Sequence, residues 1–319
     1  MASVKDQVNA MAKVCGDSEL VKALKFDHVE ELFVTAAEYG HREIVLFLIS
    51  KGANRWNDAM ARAAYGGHMD IVLLMIEKGQ ASGLVFDWSY AMACAAEGNY
   101  MDILLLMIEK SQVSGSVLNF DKAAALAAYT GHLEMLLFMI SKGADRWNDV
   151  MAYATYGGHM NIVLFMIEKG QTEDLVLDWK NAMDHAIWGG HMEMVLFMIS
   201  KCQEQCVILD WNRELKRAVE GEHMDIALLM IEKGQAEDMV LDWNGISNYD
   251  ELVEKIESSK LQSFLGRIGI PEIFKQKIQK RIDVENEEYL KMNYKLLVGV
   301  PNFPSDFCSS ISSFCYLKK

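Results

Sequence analysis

Six histidines and one tyrosine stand at one recurring place in this chain: His41, His68, Tyr100, His132, His159, His191 and His223 each follow a glycine-bearing pair and open an apolar run such as "HMDIVLLMIEKG". Imidazoles in series suggest metal ligation or proton transfer, because a ring nitrogen serves as ligand, base or hydrogen-bond donor. Packed helices stand about 10 Å apart, so units stacked at that spacing hold consecutive imidazoles too far apart to share one ion. A structural role at the turn is therefore expected, and no metal. Six cysteines (Cys15, Cys94, Cys202, Cys206, Cys308, Cys315) are scattered along the chain. Neither close pair has a zinc-knuckle spacing or a nearby histidine pair, so free thiols in a reducing compartment are expected. The sequence holds no phosphate-cradling GxxxxGK[ST], no nucleophile elbow GxSxG and no HExxH. The expectation is a non-enzyme without a cofactor or catalytic residue.

More informative are the positions that vary while their surroundings repeat. Six residues before the turn column stand Thr35, Arg62, Cys94, Leu126, Tyr153, His185 and Arg217; three before it stand Glu38, Tyr65, Glu97, Tyr129, Tyr156, Trp188 and Glu220. Residues three apart share one face of a helix. Tyr, Trp and Arg are the types enriched at binding hot spots. The candidate protein-binding strip is thus Arg62, Tyr65, Tyr129, Tyr153, Tyr156, His185, Trp188 and Arg217. The competing reading is that these rings only cover the neighbouring helix.

The elements that would position this strip follow from the period. The turn positions are separated by 27, 32, 32, 27, 32 and 32 residues, so residues 41–131 align without a gap on residues 132–222, with roughly half the positions identical. A duplicated three-repeat block is the reading, and fixed periods of this size mark stacked units that bury apolar faces only against their neighbours. Within a unit, Ile71, Val72, Met75 and Ile76 make the stripe of a one-sided helix. A shorter helix such as "DAMARAAYG" precedes it, and the Gly-Gly between permits a left-handed turn. Methionines in the second helices (Met75, Met107, Met139, Met166, Met198, Met230) are expected to fill core gaps.

An aromatic column, Trp56, Trp88, Phe120, Trp147, Trp179, Trp211 and Trp243, precedes each first helix. The residues after it (Asn57, Ser89, Asp121, Asn148, Asn212 and Asn244, with Lys180 the exception) are expected as N-caps, with the aromatic as a staple outside. The longer linkers, such as "GQASGLVFDW", leave room for a projecting loop. In the two short repeats, "GANRW" and "GADRW", that loop should be missing.

The pattern at Ala37 to Ala53 and Ala64 to Gly79, with Gly52-Ala53 and Gly143-Ala144, resembles the ankyrin repeat over residues 30–244. The resemblance implies an all-α solenoid of about seven stacked helical hairpins, with the strip on its concave surface. Residues 1–29 resemble a degenerate N-terminal capping repeat. The Thr-Pro-Leu-His opening of the family is absent: Asp58-Ala59-Met60-Ala61 and Asp149-Val150-Met151-Ala152 stand in its place. "GGHMDIVLLMIEKG" together with "RWND" looks like the ankyrin arrays of giant DNA viruses of protists, which implies a host protein as partner in the host cytoplasm.

With 51% hydrophobic and 24% charged residues the chain is expected to fold. The net charge of −14 argues against nucleic acid or anionic membrane as a partner. No apolar run reaches the length that spanning a bilayer needs, and the N-terminus does not read as a secretion signal, which predicts an intracellular protein; a monomer is expected. The charge is uneven, about −15 over residues 1–244 against near neutrality from 245 to 319, and all three prolines lie in that last segment. Residues 245–319 are expected to form a helical cap and tail. Within them "GIPEIFKQKIQKRI" weakly resembles the F-box-like helix of some viral ankyrin proteins, which implies adaptor contacts through Pro271, Phe274, Ile278 and Ile282. A plain capping helix is the favoured reading. The expected function is a non-catalytic protein-interaction scaffold, with a ubiquitin-ligase substrate receptor as the alternative.

Overall fold

The computed structural model describes residues 29–237, 272, 275–285 and 288. The chain divides into two compact units, Met1–Gln205 and Cys206–Lys319. Among the described residues every regular element is helical, and no helix is long and apolar enough to cross a membrane. The N-terminal repeat expected at 1–29 lies, apart from Val29, outside the described residues.

The first unit contains six helical hairpins: α1 (Val29–Glu38) with α2 (Arg42–Ser50), α3 (Trp56–Gly66) with α4 (Met69–Ala81), α5 (Trp88–Glu97) with α6 (Met101–Ser114), α7 (Phe120–Tyr129) with α8 (Leu133–Ser141), α9 (Trp147–Tyr156) with α10 (Met160–Thr172), and α11 (Trp179–Trp188) with α12 (Met192–Glu204). Each first helix packs on its own second helix, and within this unit each is packed on the first helix of the neighbouring hairpin. Alanine makes that second contact close: Ala59, Ala63, Ala91, Ala95, Ala123, Ala127 and Ala154 are fully buried, so backbones approach without intervening side chains. The second helices supply the bulky part of the core through Ile71, Val72, Met75, Ile103, Met107, Met139, Ile162, Met166 and Met198.

Each first helix ends in a left-handed residue: Gly40, Gly67, Gly131, Gly158 and Gly190 have φ of 73–82°, and Asn99 takes the same place at 66°. The following N–H then reaches back to an alanine carbonyl in the last turn of the helix, as in His159 N–H to Ala154 O at 2.9 Å and Tyr100 N–H to Ala95 O at 2.9 Å. This is the helix-ending bond of the Schellman motif.

Two expectations are corrected. The aromatic column lies inside the helix as its first residue, and the N-cap is the residue before it: Asp87, Asn119 and Asp178 accept from the amides of Tyr90, Lys122 and Asn181. In the two "RWND" repeats the cap position is Arg, whose Nε donates instead to the Asp three residues on, Arg55 to Asp58 at 2.8 Å and Arg146 to Asp149 at 2.9 Å. The residue after the aromatic has a different job, tying its repeat to the next linker. Asn57 donates to Val85 O and accepts from Asp87 N–H, Ser89 does the same with Val117 and Asn119, and Asn148 with Val176 and Asp178. Before the short linkers the same position is acidic and only accepts: Glu30 from the amides of Asn54 and Arg55, Asp121 from those of Asp145 and Arg146.

The extra residues of the long repeats do not make a projecting loop. They extend the second helix, from 9 residues in α2 and α8 to 13 in α4, α10 and α12. The same column therefore holds glycines with two roles. Gly52 and Gly143 stop the short helices at φ of 99° and 102°, whereas Gly79 is helical and buried. A Cβ on Gly79 would meet the Phe86 ring at 2.7 Å, because the linker folds back over it.

The second unit contains the hairpin α13 (Trp211–Glu220) and α14 (Met224–Ala236), whose helices pack on each other. Trp211 is 1% exposed and its indole N–H donates to the Glu237 carboxylate at 2.7 Å. The composition boundary expected near residue 245 falls inside this unit. Residues 275–285 are helical.

Candidate functional site

Along the first helices the alanines are buried, and the residues six and three before the turn column, Cys94 excepted, are left at least partly exposed. In α9, Val150, Met151, Ala152, Ala154 and Thr155 are buried, while Tyr153 and Tyr156 are 40% and 38% exposed. The rings of Tyr129 and Tyr156, on successive repeats, stack at 5.5 Å between centroids and 27° between planes. His185 continues the surface: its ring lies 6.4 Å from both Tyr153 and Tyr156, edge-on to the latter. Trp188 stands one turn further along α11 and is 42% exposed. Five of the eight strip residues thus form one aromatic surface across three repeats.

Upstream, Tyr65 is half-buried and Arg62 reaches Glu38 at 3.8 Å. A cleft of about 520 Å³ joins Tyr65 to the aromatic run, with Glu97, Tyr129, Tyr156 and Trp188 in its lining. Arg217 lies in the second unit, where its Nη1 donates to the Glu214 carboxylate at 3.3 Å; Glu214 is itself fully buried.

The turn histidines are occupied structurally. His159 Nε2 lies 2.8 Å from Tyr129 O, and since a carbonyl only accepts, that nitrogen carries the proton. The ring also covers the preceding turn, where a Cβ on Gly131 would fall 2.5 Å from it. His68 lies on Gly40, Tyr100 on Gly67 and His191 on Gly158 in the same way. Burial lowers the pKa of His41 and His132 below the usual histidine value; the next imidazole adds to the shift, and at His132 a hydrogen bond to the Glu97 backbone partly opposes it. His185 Nδ1 donates to Asn181 O at 2.9 Å within its own helix. Among the described residues no three His, Cys, Asp or Glu side chains are grouped to hold a metal ion.

Cys94, in the outward column, is buried, and burial pushes its thiol pKa up to about 11, with Glu97 adding to the shift. Such a thiol is a poor nucleophile. Cys202 is also buried, and Cys206 is exposed.

Of the residues named for adaptor contact, Ile278 and Ile282 are buried at 0% and 9% exposure. Pro271 and Phe274 lie outside the described residues. The strip read from the sequence leaves out Glu97 and Thr130, which line the cleft; the acid at the column three before the turn is the available signal. It also omits a row of leucines five residues after the turn column. Leu73, Leu105, Leu137, Leu164 and Leu196 are 41–50% exposed on the second helices. No protein-family model and no curated protein matches the chain.

Proposed function

We propose that the protein is a non-catalytic interaction scaffold of the ankyrin type, which binds a protein partner through the outward face of its first helices. The observation that carries the reading is the aromatic run Tyr129, Tyr156 and Trp188, 36–42% exposed on first helices whose alanines are buried. Contiguous exposed rings on a rigid array leave apolar area that a partner can cover, and rigid aromatic side chains lose little entropy when they are covered. The 27- and 32-residue periods, the glycine-histidine turn and the serial hairpin packing support the ankyrin assignment. The engaged histidines and the depressed reactivity of Cys94 fit a surface that binds without bond-making.

The test compares proximity labelling by the wild-type chain with labelling by a Tyr153→Ala, Tyr156→Ala, Trp188→Ala variant whose helicity and melting are intact. Loss of a defined set of neighbours in the variant is expected. An unchanged set would refute the reading.

A further inference from the structure

We propose that the cleft centred on Glu97 is a receptor for an arginine side chain presented by a protein partner, an inference that rests on the reading of this face as a protein-binding surface. Two clefts of about 520 Å³ each adjoin here and share Tyr65, Glu97 and Thr130. One runs toward Glu38 and Tyr100, the other toward Tyr156 and Trp188. Their linings include two carboxylates, Glu38 and Glu97, and neither a lysine nor an arginine.

The two acids differ in state. Glu38 has the Arg62 guanidinium at 3.8 Å. Glu97 is half-buried, and among the described residues no ion pair or side-chain hydrogen bond engages its carboxylate. Burial raises its pKa; the Arg62 guanidinium is the largest opposing influence, the Glu38 carboxylate adds to the rise, and Lys122 opposes it more weakly. Lys122 is itself drawn off to the Tyr90 ring, with Nζ 5.2 Å from the centroid. A carboxylate partly removed from water, whose neighbouring guanidinium is paired with Glu38, gains from a further cation that brings its own hydrogen bonds.

The flanking rings choose among cations. Along the column three before the turn, Glu97 stands between Tyr65 and Tyr129, and Tyr156 stacks behind Tyr129. A guanidinium is planar, donates two parallel hydrogen bonds to a carboxylate and lies flat on an aromatic face. An ammonium meets the carboxylate only as a point charge, a neutral planar side chain can form the hydrogen bonds but brings no charge, and an acidic side chain is repelled. The formal charge of about −15 over residues 1–244 draws a basic segment toward the array before contact.

The experiment titrates the full chain calorimetrically with a blocked octapeptide of alternating arginine and alanine, and with its citrulline counterpart, which keeps shape and hydrogen bonding but loses the charge. The arginine peptide is expected to bind at least roughly tenfold more tightly than the citrulline one, a difference Glu97→Gln abolishes. Glu109→Gln removes an equal charge from α6 outside the cleft and should leave affinity unchanged. No binding of the arginine peptide, equal binding of the two peptides, or equal losses in the two variants would overturn the receptor. Glu97→Gln must melt no lower than wild type for the comparison to count, and Glu97→Asp, which keeps the charge and shortens the reach, supplies a second folded variant expected to weaken arginine binding. Proximity-labelled neighbours lost in the triple alanine variant but kept by Glu97→Gln would sink the arginine receptor and leave the binding face standing. Neighbours kept by both would remove the two together.

Discussion

The Nε2 of His159 lies 2.8 Å from the carbonyl oxygen of Tyr129, 30 residues earlier, so the turn of one repeat closes the end of the helix before it. The same ring rests where a side chain on Gly131 would otherwise sit. His159→Ala removes a bond and a packed ring and should destabilise the array by about 1–2 kcal/mol. His159→Phe keeps the ring and should recover part of that loss. Denaturant midpoints of the two variants separate packing from bonding, and identical midpoints to wild type would remove the structural role.

The residues after the aromatic column hold register between repeats. Asn148 is bonded at both ends of its amide, to Val176 O at 3.1 Å and from Asp178 N–H at 2.8 Å. Asn148→Asp can still accept but no longer donate, which should cost about 1 kcal/mol. Asp121→Asn, at a site that only accepts from the amides of Asp145 and Arg146, should cost less because an amide oxygen still serves. Urea unfolding orders the two, and a larger loss for Asp121→Asn would contradict the account.

These positions show where sequence reading stops. Periodicity finds the hairpins because burying one face of two helices leaves a period of apolar residues that nothing else explains. It assigns Asn57, Ser89 and Asn148 as caps because their types suit a cap, and composition alone cannot say that the chain has entered the helix one residue earlier. Likewise "KGA" and "KGQ" look alike, although one glycine ends a helix at φ 99° and the other lies buried within one. The linker after each glycine decides: Phe86 in the long one covers Gly79, whereas the short one leaves open space around Gly52. The outward strip is legible because it varies. Glu97 is not legible as a binding residue, because the cleft around it and the pairing of Arg62 with Glu38 exist only in three dimensions.

The second kind of turn glycine is intolerant for a reason other than φ. Gly157 has an ordinary φ of −79°, yet a Cβ there would lie 2.1 Å from Tyr129 O and 2.6 Å from the His159 ring. The obstacle includes backbone, so the repeats must separate to admit a methyl group. Gly157→Ala should cost roughly 3 kcal/mol or more. Thermal melting of the variant within a degree of wild type would show that the spacing is softer than the geometry implies.

In the second unit the left-handed turn position carries Glu222 at φ 60° in place of glycine. A side chain there is strained, by about 1 kcal/mol relative to glycine. Glu222→Gly therefore should stabilise, provided that the added freedom of the unfolded chain does not cancel the gain. An increase in the denaturation midpoint checks it, and a decrease would mean that Glu222 makes compensating contacts.

Acid should loosen the array through its turn histidines before it reaches the carboxylates. Burial, reinforced by the neighbouring imidazole, holds the pKa of His41 and His132 below the usual 6.5. Because the unfolded chain takes up protons first, their contribution to stability is complete above pH 6.5 and is lost as pH falls through the lowered folded-state values. Glu97 acts in the opposite sense and lower down: its pKa is raised above 4.5, so its protonation relieves the folded state as pH approaches that value from above. The denaturation midpoint should thus fall between about pH 7.5 and 5.5 in wild type, and fall less in a His41→Gln, His132→Gln variant, which cannot be charged. Equal slopes in the two proteins would show that these half-buried imidazoles do not govern this response.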